Sequence, residues 1–242
     1  MTVILVLLTF LAFAIIDYAL NRGKFPRRVV EKPHNRAVEQ AALRARERAA
    51  GPARSLLSEP NVSFVDGFAV PDRMRYHPGH GWCLTERKGI ERVGVDDFAA
   101  RLAGQVDSIE LPRPGQWLRQ GQKAWSFTRN GEKTEMATPV EGEVLKINDE
   151  VLRDPSLLRR DPYGAGWLMT LEVPDPENTG RNLIPKNMVS AWMRSAVEAL
   201  YARQPQLAGT TAADGGQPVD DLSASLSHEA WIDLTREFFL TR

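Results

Sequence analysis

The sequence predicts a mainly β domain with short helices, preceded by an N-terminal transmembrane helix. Two patterns lead to this fold class. Short apolar runs alternate with Gly- and Pro-containing turns from about residue 61 to residue 173, which is typical of a small antiparallel sandwich or barrel. A predominantly apolar run occupies residues 2–20, which is close to the length that crosses a bilayer.

The apolar run favours a membrane anchor over residues 1–21. Asp17 is the only charge in it, and no Lys or Arg precedes it, so a cleaved signal peptide fits less well; a buried helix is the other alternative. The basic residues that follow are Arg22, Lys24, Arg27 and Arg28. By the positive-inside rule we expect a single-pass protein of the cell inner membrane with its soluble domain in the cytoplasm.

Residues 22–60 are predicted to form a juxtamembrane helical stalk. Residues 34–50 are rich in Ala, Arg and Glu, which favours a solvated helix. Contact of its basic face with anionic lipid headgroups is the alternative.

The main domain is predicted over 61–203. Its strands are interrupted by a helix around Asp96–Leu102 and by a helical turn at Asp154–Leu158, with Asp154 as the cap. A C-terminal helix is expected over 187–203. The residues that we expect on its apolar stripe are Met188, Ala191, Trp192, Ser195, Ala199 and Leu200.

The remaining residues are divided into a linker, 204–226, and an amphipathic tail helix, 227–242. Ser227 can cap this helix, and Trp231, Leu234 and Phe238 share one face of it. Two interpretations stay open. In the first, the tail docks on its own domain. In the second, it binds the groove of a partner, and these three residues are the predicted protein-partner contacts, together with the main domain.

Composition and motifs exclude several function classes. The chain has 31 Lys and Arg residues and 31 Asp and Glu residues, so its formal net charge is zero. No excess of basic residues therefore indicates nucleic-acid binding. No Ser-His-Asp pattern, phosphate loop or Rossmann fingerprint is apparent, and we expect no catalytic residues and no enzyme. His77, His80 and Cys83 have a spacing that could bind metal, but three ligands are too few for a closed zinc site. We therefore expect no metal.

Four stretches resemble the glycine cleavage system H protein family in order and spacing. They are FAVPDRMRYHPGHGW (68–82), RVGVDDFAARLAGQVDSIELPRPGQWLRQGQ (92–122), TPVEGEVLKIN (138–148) and DPSLLRRDPYGAGWLMTLEV (154–173). The resemblance covers roughly residues 68–175. It implies a lipoyl-type barrel-sandwich hybrid of two small antiparallel sheets. It also implies a non-catalytic carrier whose lysine, at a hairpin tip, holds lipoate.

The lysine that this resemblance implies is missing. In the family it lies eight residues before the proline of Pro-Val-x-Gly, which here is Pro139, and eight residues back stands Gly131. Asn130-Gly131 favours a type I′ turn. That turn pairs Arg129 with Glu132, Thr128 with Lys133, Phe127 with Thr134 and Trp125 with Met136. The core face of the hairpin should then consist of Trp125, Phe127, Thr134 and Met136.

Lys133 points to the other, solvated face of this hairpin, about 6–7 Å back from the tip. We interpret it as a surface lysine, so no cofactor is expected. The alternative is that Lys133 carries lipoate.

Two functional hypotheses follow. The first is a membrane-anchored domain without lipoate that acts as a structural or docking subunit of a membrane-associated complex. The second is a lipoyl carrier that shuttles one-carbon or redox intermediates from Lys133.

Overall fold

The computed structural model describes residues 61–207 and 221–241. The predicted anchor, the predicted stalk and the middle of the predicted linker (208–220) lie outside the described residues. Eleven strands and six short α-helices occupy the described ranges, so the prediction of a mainly β domain with short helices is confirmed. In these ranges, no helix combines the length and the apolarity that a membrane span requires.

A six-stranded antiparallel sheet forms the larger layer. Its strands, in spatial order, are β3 (Arg75–Tyr76), β4 (Gly81–Arg87), β5 (Ile90–Val95), β11 (Met169–Glu172), β10 (Gly142–Ile147) and β7 (Trp117–Leu118). All six residues of β5 are buried, as expected for a strand paired on both sides.

A three-stranded antiparallel sheet carries the hairpin identified in the sequence. Its order is β6 (Ser108–Glu110), β8 (Lys123–Arg129) and β9 (Glu132–Ala137). A separate two-stranded ribbon pairs β1 (Val62–Val65) with β2 (Phe68–Pro71). Asp66 and Gly67 join its strands, both with positive φ, which is the type I′ solution for a two-residue hairpin.

Helix α1 (Asp97–Ala103) begins where Asp96 accepts a hydrogen bond from the Ala99 amide at 2.8 Å. The helix predicted around Asp96–Leu102 is therefore present, and the structure shows Asp96 as its N-cap. Every residue of α1 is buried, so the helix lies in the core. The other short helices are α2 (Asp149–Arg153), α3 (Leu157–Arg160) and α4 (Pro176–Gly180).

The helical turn predicted at Asp154–Leu158 begins later than expected, because α3 starts at Leu157. Asp154 still organises its start, since a carboxylate oxygen accepts a hydrogen bond from the Ser156 amide at 3.2 Å.

Helix α5 (Val189–Arg203) confirms the predicted C-terminal helix, but Leu200 is the one residue of the predicted stripe that is fully buried, and Trp192 and Ala199 are partly buried. Met188 is 54 % exposed, and Ala191 and Ser195 are exposed too. The buried residues are Val189, Met193, Ala196, Val197 and Leu200. The stripe is therefore rotated by about one residue, roughly 100°.

After α5 the chain forms a 3₁₀ turn at Pro205–Leu207. Past residues 208–220 it forms another at Leu222–Ser225, and then helix α6 (His228–Phe238). Leu207 and Leu222 are fully buried. Ser227 accepts a hydrogen bond from the Ala230 amide at 3.2 Å, which confirms the predicted N-cap.

Candidate functional site

The tip of the β8–β9 hairpin has the geometry that its sequence predicts. Asn130 has a φ of 51° and Gly131 a φ of 82°, as a type I′ turn requires. A Cβ atom built on Gly131 would meet nothing within 4 Å, so the tip is open. Asp107 holds the turn by accepting a hydrogen bond from the Asn130 amide at 2.7 Å.

The predicted register of this hairpin is confirmed. The observed Cα partners include Arg129 with Glu132, Thr128 with Lys133, Phe127 with Thr134, and Trp125 with Met136. The side chains on the core face are all buried: Trp125, Phe127, Thr134 and Met136.

Lys133 lies on the outer face, and its side chain is 49 % exposed. Its ammonium forms an ion pair with Glu110 on the neighbouring strand β6. Ser126 donates a second hydrogen bond to that carboxylate at 3.2 Å. The hydrogen bond from Lys133 is the main reason that the pKa of Glu110 lies below its ordinary value. Lys133 is thus an accessible amine with one specific partner.

Residues 221–241, which we call the C-terminal segment, contact both strands directly beside the hairpin tip. Arg129 donates a hydrogen bond to the Ser223 carbonyl at 3.1 Å, and its guanidinium lies over the Trp231 ring. On the other strand, Glu132 lies 3.1 Å from Nε2 of His228. The hairpin is therefore held from both flanks of its tip, while Gly131 itself stays open.

The three tail residues predicted to contact a partner are instead buried in this chain, which corrects that prediction. Trp231 donates a hydrogen bond from Nε1 to the Leu102 carbonyl at 3.1 Å. Phe238 packs edge-on against Phe98 with ring centroids 5.1 Å apart, and Leu234 belongs to the same core. Helix α6 docks on its own domain because this domain supplies the apolar surface that its face needs.

Gly104, the glycine that ends α1, provides part of the surface on which the C-terminal segment docks. Gly104 ends α1 with a φ of 73°, and a Cβ atom there would lie 1.8 Å from the Ser223 hydroxyl oxygen. Asp221 accepts a hydrogen bond from the Gln105 amide at 3.1 Å. This contact could not be predicted from the sequence, because no local pattern links Gly104 to Ser223, which lies more than a hundred positions away.

The structure separates His77, His80 and Cys83 into different roles. His77 accepts a hydrogen bond from the Gly79 amide at 3.1 Å, and its burial, with a smaller effect of His80, lowers its pKa to about 4. His80 and Asp96 lie 2.8 Å apart in the core. Cys83 is buried, and burial raises the pKa of its thiol to about 12. Among residues 61–207 and 221–241, no cluster of three such side chains could hold a metal ion.

The comparisons of this chain with known proteins agree with one another. The family model "Glycine cleavage H-protein" matches residues 74–195. The glycine cleavage system H protein of Laribacter hongkongensis is 35 % identical over 107 residues, which are 44 % of this chain and 84 % of that protein. The corresponding protein of Streptomyces coelicolor is 30 % identical over 105 residues, 43 % of this chain and 84 % of that protein.

An archaeal protein and a solved structure are also similar. The probable glycine cleavage system H protein of Haloarcula marismortui is 36 % identical over 118 residues, 49 % of this chain and 92 % of that protein. The crystal structure of the H protein from Mycobacterium marinum aligns with 52 % of this chain and 98 % of its own, at 22 % identity and a TM-score of 0.45. The match of the family model to about half of the chain shows that this protein belongs to the glycine cleavage H-protein family.

Proposed function

We propose that this protein is a non-catalytic, membrane-anchored member of the H-protein family that serves as a structural or docking subunit and carries no lipoate. The observation that carries the proposal is the hairpin tip. The position that the family resemblance assigns to the lipoyl lysine is Gly131, eight residues before Pro139. A glycine offers no amine, and its φ of 82° is one that other residues adopt only with strain.

The C-terminal segment supports a structural role. It lies outside the residues matched by the family model, yet it binds Arg129 and Glu132, the two residues that flank the tip turn. A lipoyl lysine has to reach its partner enzymes on a free arm. Contacts that fix both flanks of the tip favour a rigid docking surface instead. Partners, which for this family include other glycine cleavage proteins, would then bind the exposed parts of the domain.

The membrane part of the proposal rests on the sequence. The apolar run of residues 2–20 and the basic residues after it favour an anchor in the cell inner membrane, with the domain on the cytoplasmic side.

The alternative function is a lipoyl carrier with lipoate on Lys133, and the exposed ammonium of Lys133 favours it. The cofactor would be joined to Nζ by an amide bond and would supply a dithiolane for redox or group-transfer chemistry. The residues present fit this modification in part. Nζ is accessible, but the amide would remove the charge that pairs with Glu110. Because that pair is exposed, its loss would cost little.

The deciding experiment is the intact mass of the full chain purified from its native membranes, with peptide mapping across residues 125–146. An unmodified mass, from cells whose other lipoyl proteins are fully modified, supports the docking role. A lipoyl mass on Lys133 that disappears in Lys133→Arg would establish the carrier instead. Lys123→Arg is the matched control, because Lys123 forms a similar exposed pair with Glu135.

A further inference from the structure

A groove of about 970 Å³ lies on the larger sheet, apart from the hairpin tip. The 72–75 loop and strand β4 form one side of it, and the segment that joins α4 to α5 forms the other. None of the hairpin contacts described above involves its lining residues. The groove is therefore separate from the surface formed by the hairpin and the C-terminal segment.

The lining of the groove carries an excess of positive charge. Arg73, Arg181 and Lys186 are exposed at it, and Asp72 is the acidic residue of the lining. Arg75 also lines the groove, but Glu91 lies 2.6 Å from its guanidinium and offsets its charge. An anion entering the groove would thus meet Arg181 and Lys186, with Asp72 as the opposing carboxylate.

The rest of the lining is apolar. Met74, Leu183 and Val189 are buried side chains that contribute to it. Met188, which is 54 % exposed, directly precedes Val189 of the lining. Cations beside exposed apolar side chains fit an amphiphilic anion better than a fully polar one.

Asn61 also belongs to the lining of the groove, and the apolar run proposed as an anchor precedes it in the sequence. The 39 residues 22–60 separate Asn61 from the apolar run. An anchor at 1–21 would hold the groove near the bilayer at high effective concentration, so a weak site would be sufficient.

We propose that this groove binds the headgroup of an anionic phospholipid and so orients the domain on the membrane surface. The high effective concentration rests on the anchor proposed above, whereas the binding itself does not. Lys and Arg side chains near an anionic surface each strengthen binding by about fivefold. Charge reversal of Arg181 and Lys186 should therefore weaken headgroup binding by well over tenfold.

The test uses the full chain with a fluorescent label at Met188→Cys, beside the groove. Cys83 is buried and its thiol pKa is about 12, so it should remain unlabelled at neutral pH. The labelled chain is mixed with vesicles of phosphatidylcholine, with or without phosphatidylglycerol. Flotation of the chain with the neutral vesicles after an alkaline wash shows whether the anchor inserts into the bilayer, independently of the groove. The emission shift of the label reports the groove.

We expect a blue shift with the anionic vesicles only, and its loss both in high salt and in Arg181→Glu/Lys186→Glu. The matched control is Arg113→Glu/Arg236→Glu, which changes the net charge equally at exposed positions outside the groove and should keep the shift. Circular dichroism would confirm that both variants fold. If the anchor proposal failed, neutral vesicles would not float the chain, yet a sufficient excess of anionic vesicles would still shift the label.

Three results would overturn the proposal. One is an equal shift with neutral and anionic vesicles. Another is an equal loss of the shift in both double variants. The third is a shift that glycerol phosphate alone produces without vesicles, which would assign the groove to a soluble anion.

Discussion

The guanidinium of Arg129 lies over the indole ring of Trp231, 5.5 Å from its centroid. Arg129 is the last residue of β8 before the hairpin tip, and Trp231 is fully buried in α6. This cation–π contact joins the hairpin, which belongs to the family domain, to a segment that the family model does not match. The C-terminal segment is thereby an integral part of the folded domain.

Replacement of Trp231 should test how much the segment contributes to stability. We expect Trp231→Ala to lower the free energy of unfolding by about 3–5 kcal/mol, because it removes a buried ring and its hydrogen bond to Leu102. Urea unfolding measures this. The matched control is Trp117→Ala, since Trp117 is 47 % exposed and should cost less than about 1 kcal/mol. Equal losses in the two variants would contradict the docking of α6.

Gly104→Ala should loosen the C-terminal segment selectively. The added methyl group would occupy the position of the Ser223 hydroxyl, and the backbone there has a positive φ. We expect amide hydrogen exchange to become faster across residues 221–241 while β10 and β11 stay protected. Gly180→Ala is the control, because a Cβ at Gly180 meets only the Arg75 side chain, at 3.5 Å. Unchanged hydrogen exchange in the C-terminal segment would argue against a close contact between Gly104 and Ser223.

The stability of the fold should fall as the pH drops because of His77. Its pKa is lowered from 6.5 to about 4 by burial, so between these values the unfolded chain binds the proton and the folded chain does not. The effect should reach at most about 3 kcal/mol near pH 4. His77→Asn should reduce the loss of unfolding free energy between about pH 7 and pH 4.5. A wild-type-like loss in His77→Asn would contradict the assignment.

Gly131→Lys should restore a site for lipoylation. The tip has room for a side chain, and the strain of a positive φ should cost about 1–2 kcal/mol. In a host with an active lipoate ligase, we expect a lipoyl mass on the peptide of this variant and none on the wild type. Combining the change with Lys133→Arg should keep the modification. Its absence in a folded variant would show that the tip contacts, rather than the missing amine, block the ligase.

The hairpin could be predicted from sequence because its determinants are local. Asn130-Gly131 selects the turn type, the turn sets the register, and alternation then places Trp125 and Met136 in the core. The docking of α6 could not be predicted in the same way. The spacing of its apolar residues shows that one face must be covered, but it does not show whether this domain or a partner covers it.

Two other features depend on tertiary contacts. The buried stripe of α5 differs from the predicted one because the sequence offers two apolar stripes about 100° apart, and packing selects the one that contains Val189 and Met193. The pair of His80 with Asp96 joins residues sixteen positions apart through the pairing of β4 with β5. The sequence presented His80 only as a candidate metal ligand, whereas its Nδ1 lies beside a buried carboxylate.

The position of the C-terminal segment in the sequence also determines when, during translation, the hairpin tip gains its contacts. Ser223 and Trp231 are translated roughly 90 or more residues after the hairpin tip that they help to hold. At about 5–20 residues per second, a ribosome takes roughly 5–20 s to add that length. During this interval the nascent hairpin lacks its cover. A chaperone that recognises Phe127 and Trp125 would meet the hairpin on the ribosome in a form that the finished protein, in which both side chains are buried, no longer presents.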